Sequence, residues 1–162
     1  DDNGDTWSFD TLRNQINSVS HVSGSSWLFA GYGYVGKTDD GGATLQQLEK
    51  KEQNFIGVHH ITTSEVLLIA NNGKTFRSSD GGASWQRTSR LWGVNLVESI
   101  YEDGMVATID GEGSLYWSKD GGLNWIQVDL EVSANLTSIG KSENYFFIGD
   151  GNGNVHQVTI TD

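Results

Sequence analysis

The chain has 162 residues, 21 acidic side chains against 10 basic ones, a formal charge of −11, and neither cysteine nor proline. That length is about one domain, enough to bury a core without disulfide or metal staples. The acidic balance argues against nucleic acid and anionic lipid, and it suits cationic partners, divalent ions or neutral sugars. No apolar run approaches the ~18 residues of a membrane span, so no membrane insertion is expected. The chain opens on Asp rather than Met, as a mature, trimmed or excised chain would. With 21 glycines and no proline, the tight turns have to be made by Gly, Asn and Asp.

The opening stretch, DDNGDTW, reads as the second half of a phrase that recurs further on as GKTDDGGATL, FRSSDGGASW and YWSKDGGLNW. Asp40, Asp80 and Asp120 stand 40 residues apart in it, as do Gly33, Gly73, Gly113 and Gly153 in the turns before it. Residues 13–50, 53–90 and 93–130 each hold four strand-like segments. The first carries the apolar column Ile16, Ile56, Leu96 and Leu136. The second (Trp27-Leu28-Phe29, Leu67-Leu68-Ile69, Ala107-Thr108-Ile109, Phe147-Ile148) is mostly apolar without alternation, as a strand packed on both faces is. A Gly/Asn/Asp turn then opens a hairpin into the third segment. The fourth follows the Asp phrase, as in WQRTS and WIQVDL.

Four strands per ~40 residues, with each sheet between two neighbours, is the pattern of a β-propeller. Residues 133–162 supply three strands and stop at VTITD, where a fourth phrase is due. Residues 1–12 supply the rest, with a strand over roughly 5–11. The expectation is therefore an all-β fold in one domain over 1–162. It is a propeller of four four-stranded antiparallel blades, one of them closed by strands from both termini. Such a chain closes alone as a four-bladed monomer, with Ser18, Gly57, Ser99 and Ser138 lining a narrow centre. Otherwise it exchanges ends with a second copy as half of an eight-bladed homodimer.

The phrase Ser/Thr-x-Asp-x-Gly-x-Thr/Ser-Trp resembles the Asp-box, or BNR, repeat, and the resemblance runs through all four units. Hairpin and box together look most like the photosystem II assembly/stability-factor-like Asp-box propellers. The resemblance implies structural roles for Asp2, Gly4, Trp7, Asp40, Gly42, Asp80, Gly82, Trp85, Asp120, Gly122 and Trp125. They would sit at a rim where the third strand turns into the fourth, opposite the ligand face. Local chemistry agrees: the carboxylate accepts turn N–H groups, the Ser or Thr hydroxyl supports the same turn, and Gly82 permits a positive φ. Leu45 replaces Trp in one box and Asn124 replaces Ser/Thr in another. The joint at Leu45 is expected to be looser, or covered by something else. Similar boxes occur in sialidases, xyloglucanases, sortilin-type receptors and viral surface proteins, so the box marks a fold rather than a function.

Ligands are then expected on the opposite face, at hairpin turns and inter-blade loops. Tyr32, Asn72, Glu112 and Asn152 sit in the turns, and RTSRLWGVN brings Arg87, Arg90 and Trp92 together. An exposed Trp beside Arg and Asn suits a sugar or a peptide. The plainer reading is that Trp92 caps the packing between two blades. GDGNGN, residues 149–154, opens like a calcium loop but lacks the loop's Gly and closing Glu. Asp110 and Asp150 are left as weak candidates for a calcium ion, and no other metal or cofactor is expected. His156 falls in the aromatic slot of Phe76 and Tyr116. His59 and His60 point to opposite faces of one strand and cannot share a metal.

Four arginines (Arg13, Arg77, Arg87 and Arg90) come from too few loops to grip a carboxylate as a sialidase does. No carboxylate pair, phosphate loop, Gly-x-Ser-x-Gly elbow or metalloprotease motif stands out, and no catalytic residue is assigned. The expected function is non-enzymatic binding of a protein or glycan through the loop face. The alternatives are a structural or assembly component of a virion or surface appendage, and a fragment of an Asp-box glycoside hydrolase. An acidic, Cys-free, Gly/Asn-rich chain fits an extracellular or virion-surface setting.

Overall fold

Gly, Asn and Asp turns cut the chain into short strands, and the strands fall into four antiparallel sheets. A computed structural model describes residues 14–49 and 52–160. The first sheet is β1 (Ile16–Ser23), β2 (Ser26–Gly31), β3 (Tyr34–Thr38) and β4 (Gln46–Glu49). The second is β5 (Phe55–His60), β6 (Val66–Ala70), β7 (Lys74–Ser78) and β8 (Gln86–Arg90). The third is β9 (Leu96–Glu102), β10 (Met105–Asp110), β11 (Ser114–Ser118) and β12 (Ile126–Asp129). Among the described residues the fourth has three strands, β13 (Leu136–Ser142), β14 (Tyr145–Asp150) and β15 (Val155–Thr159). Strands are paired in sequence order in every sheet, and β1, β5, β9 and β13 are the innermost. This is the blade order of a β-propeller. The box expected at Asp2, Gly4 and Trp7, and the strand expected over 5–11, lie outside the described residues.

The core lies between sheets, in three joints. Leu28, Ala30 and Val35 of the first sheet meet Phe55, Val58, Val66, Leu68 and Ala70 of the second. Leu67 and Ile69 on the other face of β6 meet Leu96, Val106 and Tyr116. Ala107, Ile109, Leu115 and Trp117 meet Leu136, Ile139, Phe146 and Ile148. β6 and β10 are therefore buried on both faces, which is why their residues do not alternate apolar and polar.

Two expected columns are displaced by one residue. Phe55, not Ile56, pairs with Ala70 and is fully buried, and it takes the place of Leu96 and Leu136. Likewise Leu28, not Trp27, occupies the place of Leu67 in the first blade. The connection from β5 to β6 is longer than that from β9 to β10, and the turn between β2 and β3 is only Tyr32-Gly33. These changes cancel within the 40-residue period, so the boxes stay in phase while the strands between them slip. A one-residue slip turns each side chain to the opposite face. For the same reason the innermost column is Ser18, Gly57, Glu98 and Ser138 rather than the all-small set with Ser99.

Candidate functional site

The repeated Asp turns are closed structural units. Asp80 Oδ1 accepts from Ser78 Oγ at 2.7 Å and from the Ser84 N–H at 2.8 Å, and Oδ2 accepts from Ser84 Oγ at 2.6 Å. Ser78 Oγ in turn accepts the Gly82 N–H at 2.8 Å. Asp40 repeats this with Thr38 and Thr44. Asp120 repeats it with Ser118 and Asn124, whose Nδ2 donates to Oδ2 at 2.7 Å. The Asn that departs from the phrase thus makes the same bond. Hydrogen bonds from Thr44 and Ser84 hold Asp40 and Asp80 down to about 2, and those from Asn124 and Ser118 hold Asp120 at about 2 against its partial burial. Gly82 has φ +96°, and a Cβ there would crowd Leu48 Cδ1 at 2.7 Å. Trp85 and Trp125 pack half-buried against the sheet before their own. With both carboxylate oxygens engaged inside their own turn, these acids act as joints of the fold.

The other end of the strands is different. Each innermost strand carries a β-bulge at its second residue: Asn17, Ile56, Val97 and Thr137. A bulge re-aims its side chain, and all four line one cavity of about 520 Å³ at the axis, together with Asn54, Asn71, Asn95 and Glu98. Asn17 Nδ2 donates to Asn54 Oδ1 and to the Phe55 carbonyl, both at 2.8 Å, tying the first two blades at this mouth. A second cavity of about 540 Å³ shares Asn95, Val97 and Thr137 and runs on to Glu112 and Asn135. The two make a groove over the four blades, rich in carboxamides that both donate and accept. Gln15, Asn54, Asn95 and Asn135 form one repeated column, whose carbonyls accept the N–H groups of Tyr32, Asn71, Gly111 and Gly151. Sequence reading missed these residues, although the spacing of Asn95 and Asn135 was a signal for them.

The expected ligand residues divide into groups. Glu112 lines the groove. Tyr32 and Asn152 are exposed at turn tips. Asn72 is engaged within the fold, donating to Gln53 Oε1 at 3.0 Å and accepting the Lys74 N–H at 3.3 Å. Trp92 is 76% exposed, and the Arg90 guanidinium stacks on its ring at 3.9 Å. It does not cap the joint between blades; Leu91 and Val94 beside it pack there instead. Arg87 lies three residues before Arg90 on β8, about 10 Å along the strand, so the Arg–Arg–Trp cluster reduces to Arg90 and Trp92.

The weak cation candidates bind their own hairpins. Asp110 accepts the N–H groups of Glu112 at 3.0 Å and Ser114 at 2.9 Å, and the Tyr116 hydroxyl at 2.9 Å. Burial pushes that hydroxyl up to about 12. Asp150 accepts the N–H groups of Asn152 and Asn154, both at 2.9 Å, and meets His156 Nε2 at 2.9 Å. Bonds from Asn154 and His156 hold Asp150 far below the usual carboxylate range. The slot of Tyr116 and His156 is thus a polar tie to the turn, not the aromatic packing slot expected for His156. Among the described residues no three His, Asp or Glu side chains gather as a metal site.

No family model and no curated protein matches the sequence. Solved structures do match the fold. The computationally designed Ika4 protein superposes with TM-score 0.71 at 14% identity, over 95% of this chain and 96% of that one. YCF48 bound to D1 peptide superposes with TM-score 0.73 at 18% identity, over 98% of this chain and 58% of that one. The designed Ika8 protein superposes with TM-score 0.70 at 14% identity, over 94% of this chain but only 48% of that one. The chain spans little more than half of the YCF48 chain. At these identities the likeness defines the class of the fold, a β-propeller.

Proposed function

We propose that this chain is a non-enzymatic binding module of the Asp-box propeller kind, which takes an extended polypeptide segment into the mouth of its loop face. The carrying observation is the groove itself, where Asn17, Asn54, Asn71, Asn95 and Asn135 line two cavities joined at Thr137. Carboxamides match the alternating N–H and C=O groups of a peptide backbone, and side chains on a rigid scaffold meet them without ordering cost. Glu112 at one end and the overall charge of −11 favour a segment that carries lysine or arginine. The fold likeness to YCF48 bound to D1 peptide adds a precedent for a propeller with a peptide ligand. The closed hydrogen-bonding of the Asp turns supports the Asp-box reading of the repeats, with a structural rather than chemical role. An extracellular or virion-surface setting suits such a module.

A glycan is the second reading, supported by Trp92, one of whose ring faces holds Arg90 while the residue stays largely exposed. Peptide and glycan arrays, followed by calorimetry on the hits, separate the two. Asn95→Ala with Thr137→Ala should weaken a peptide hit at least tenfold, with only a small drop in melting temperature from the lost Thr137 bond to the Gly149 carbonyl. Binding lost in Trp92→Ala but kept in that double variant would move the site to the rim and favour the glycan. Sustained turnover of fluorogenic glycosides would overturn the non-enzymatic reading.

A further inference from the structure

Among the described residues, the first and last blades each leave an apolar face open. Trp27 and Phe29 stand where Val66 and Leu68, and Phe146 and Ile148, stand in the second and fourth blades. Those four are fully buried against the preceding blade, yet Trp27 is 38% exposed and Phe29 is only half-buried. At the other end, Phe147 and Val155 stand in the places of Ala107 and Leu115. The latter two are wholly buried against the following blade, whereas Phe147 is 39% and Val155 70% exposed. The polar link repeats the pattern. Ser18 accepts the Val58 N–H, and Glu98 the Ile139 N–H, across two joints. Ser138, in the place of Ser18 and Glu98, is exposed, and so is Val19, in the place of Val58 and Ile139. The two open faces are thus the two halves of the joint that this chain already makes three times. They lie at opposite ends of one row of blades.

We propose that a second copy of this chain closes the row. The last blade of each copy packs on the first blade of the other, giving an eight-bladed ring of two-fold symmetry. The occupant is a second copy because each open face is built to receive what the opposite end of the same chain presents. An arc of this fold also occurs as half of a longer propeller chain, since it superposes on 48% of the designed Ika8 protein with TM-score 0.70. Two such arcs complete a ring, so the joint is used twice and no face remains open for a filament. Leu45, the box residue of the first blade, is left 36% exposed where Trp85 and Trp125 each cover the sheet before their own.

Sedimentation equilibrium on the intact chain, over nanomolar to micromolar concentrations, tests this directly. The expected mass is twice 17.7 kDa. A single-chain mass across that range, or a mass that keeps growing with concentration, overturns the proposal. Trp27→Lys and Phe147→Asp change side chains already exposed in the single chain, so each should melt cooperatively as a monomer. Mixed in equal amounts, they should regain dimer, because the mixed pair keeps one joint unaltered and places both substitutions in the other. Two variants that remain dimeric alone, or a mixture that stays monomeric, would show that the copies meet through some other surface. These readouts need no ligand, so they stand or fall apart from the peptide-binding reading.

Discussion

The backbone N–H of Ile139 donates to Glu98 Oε2 at 2.9 Å, from the innermost strand of the fourth blade to that of the third. Ser18 receives the Val58 N–H in the same way at 3.0 Å, two joints earlier in the sequence. A side chain on the axis thus satisfies a backbone donor of the next blade, and here that donor belongs to a buried residue. Glu98→Ala should cost about 1–3 kcal/mol, the penalty of leaving such a donor unmet. Glu98→Gln keeps an acceptor oxygen and should cost less. Urea denaturation compares them, and equal losses for the two variants would remove the bond as the cause.

Acid should loosen the Asp turns. The carboxyls of Asp40, Asp80 and Asp120 titrate at about 2 in the folded chain, below the ordinary 3.8. Their contribution is fully present above the unfolded value and is lost as the pH falls through the folded one. The melting temperature should therefore drop between about pH 4 and pH 2. Asp80→Ala and Asp120→Ala should lower it at neutral pH and flatten the acid limb, while any ligand affinity stays intact. Lost affinity with unchanged melting would mean that these acids face a ligand after all.

Chemistry confined to one turn was legible in the sequence, and chemistry assembled across blades was not. The Asp phrase contains all its own donors and acceptors, so its role follows from the residues of a single turn. The mouth is built from one bulged residue per blade, and the bulges depend on strand register. That register was hidden by compensating changes, since the loop before Val66 and the short Tyr32-Gly33 turn shift strands without disturbing the 40-residue period. Ile56 therefore looked like core and is in fact a mouth residue. Trp92 was read as a candidate on the loop face, but whether it was buried depended on Leu91 and Val94 filling the joint, which spacing cannot reveal.

The two box tryptophans should not be equivalent. Trp125 Nε1 donates to Ser89 Oγ at 3.2 Å and to the Gly122 carbonyl at 3.1 Å, whereas Trp85 Nε1 is buried without a partner. Both rings fill space between sheets, so Phe in either place loses some packing. Only Trp125→Phe also loses hydrogen bonds, although Ser89 Oγ keeps Thr75 and the Gly122 carbonyl as partners, so it should be the costlier change by about 1 kcal/mol. Thermal melts of the two variants side by side give the comparison, and a larger loss for Trp85→Phe would contradict it.

His59 supplies a pH dependence of its own, separate from the acid limb. It lies fully inside the joint between the second and third blades, with Nε2 at 2.8 Å from Ser99 Oγ. Burial lowers it from 6.5 to about 4, because a charged imidazole would lose its hydration there. In the unfolded chain the ring binds a proton below the ordinary value, and in the folded chain it resists until far lower pH. Protonation therefore favours unfolding, and stability should decline from about pH 6.5 towards pH 4, at up to about 1.4 kcal/mol per pH unit. His59→Gln keeps a group that can reach Ser99 and has no such titration, so its stability should be nearly flat over that window. Denaturant midpoints at several pH values measure both slopes. A wild-type slope that persists in His59→Gln would place the titrating group elsewhere, with His21, His60 and His156 as the remaining histidines to replace in turn.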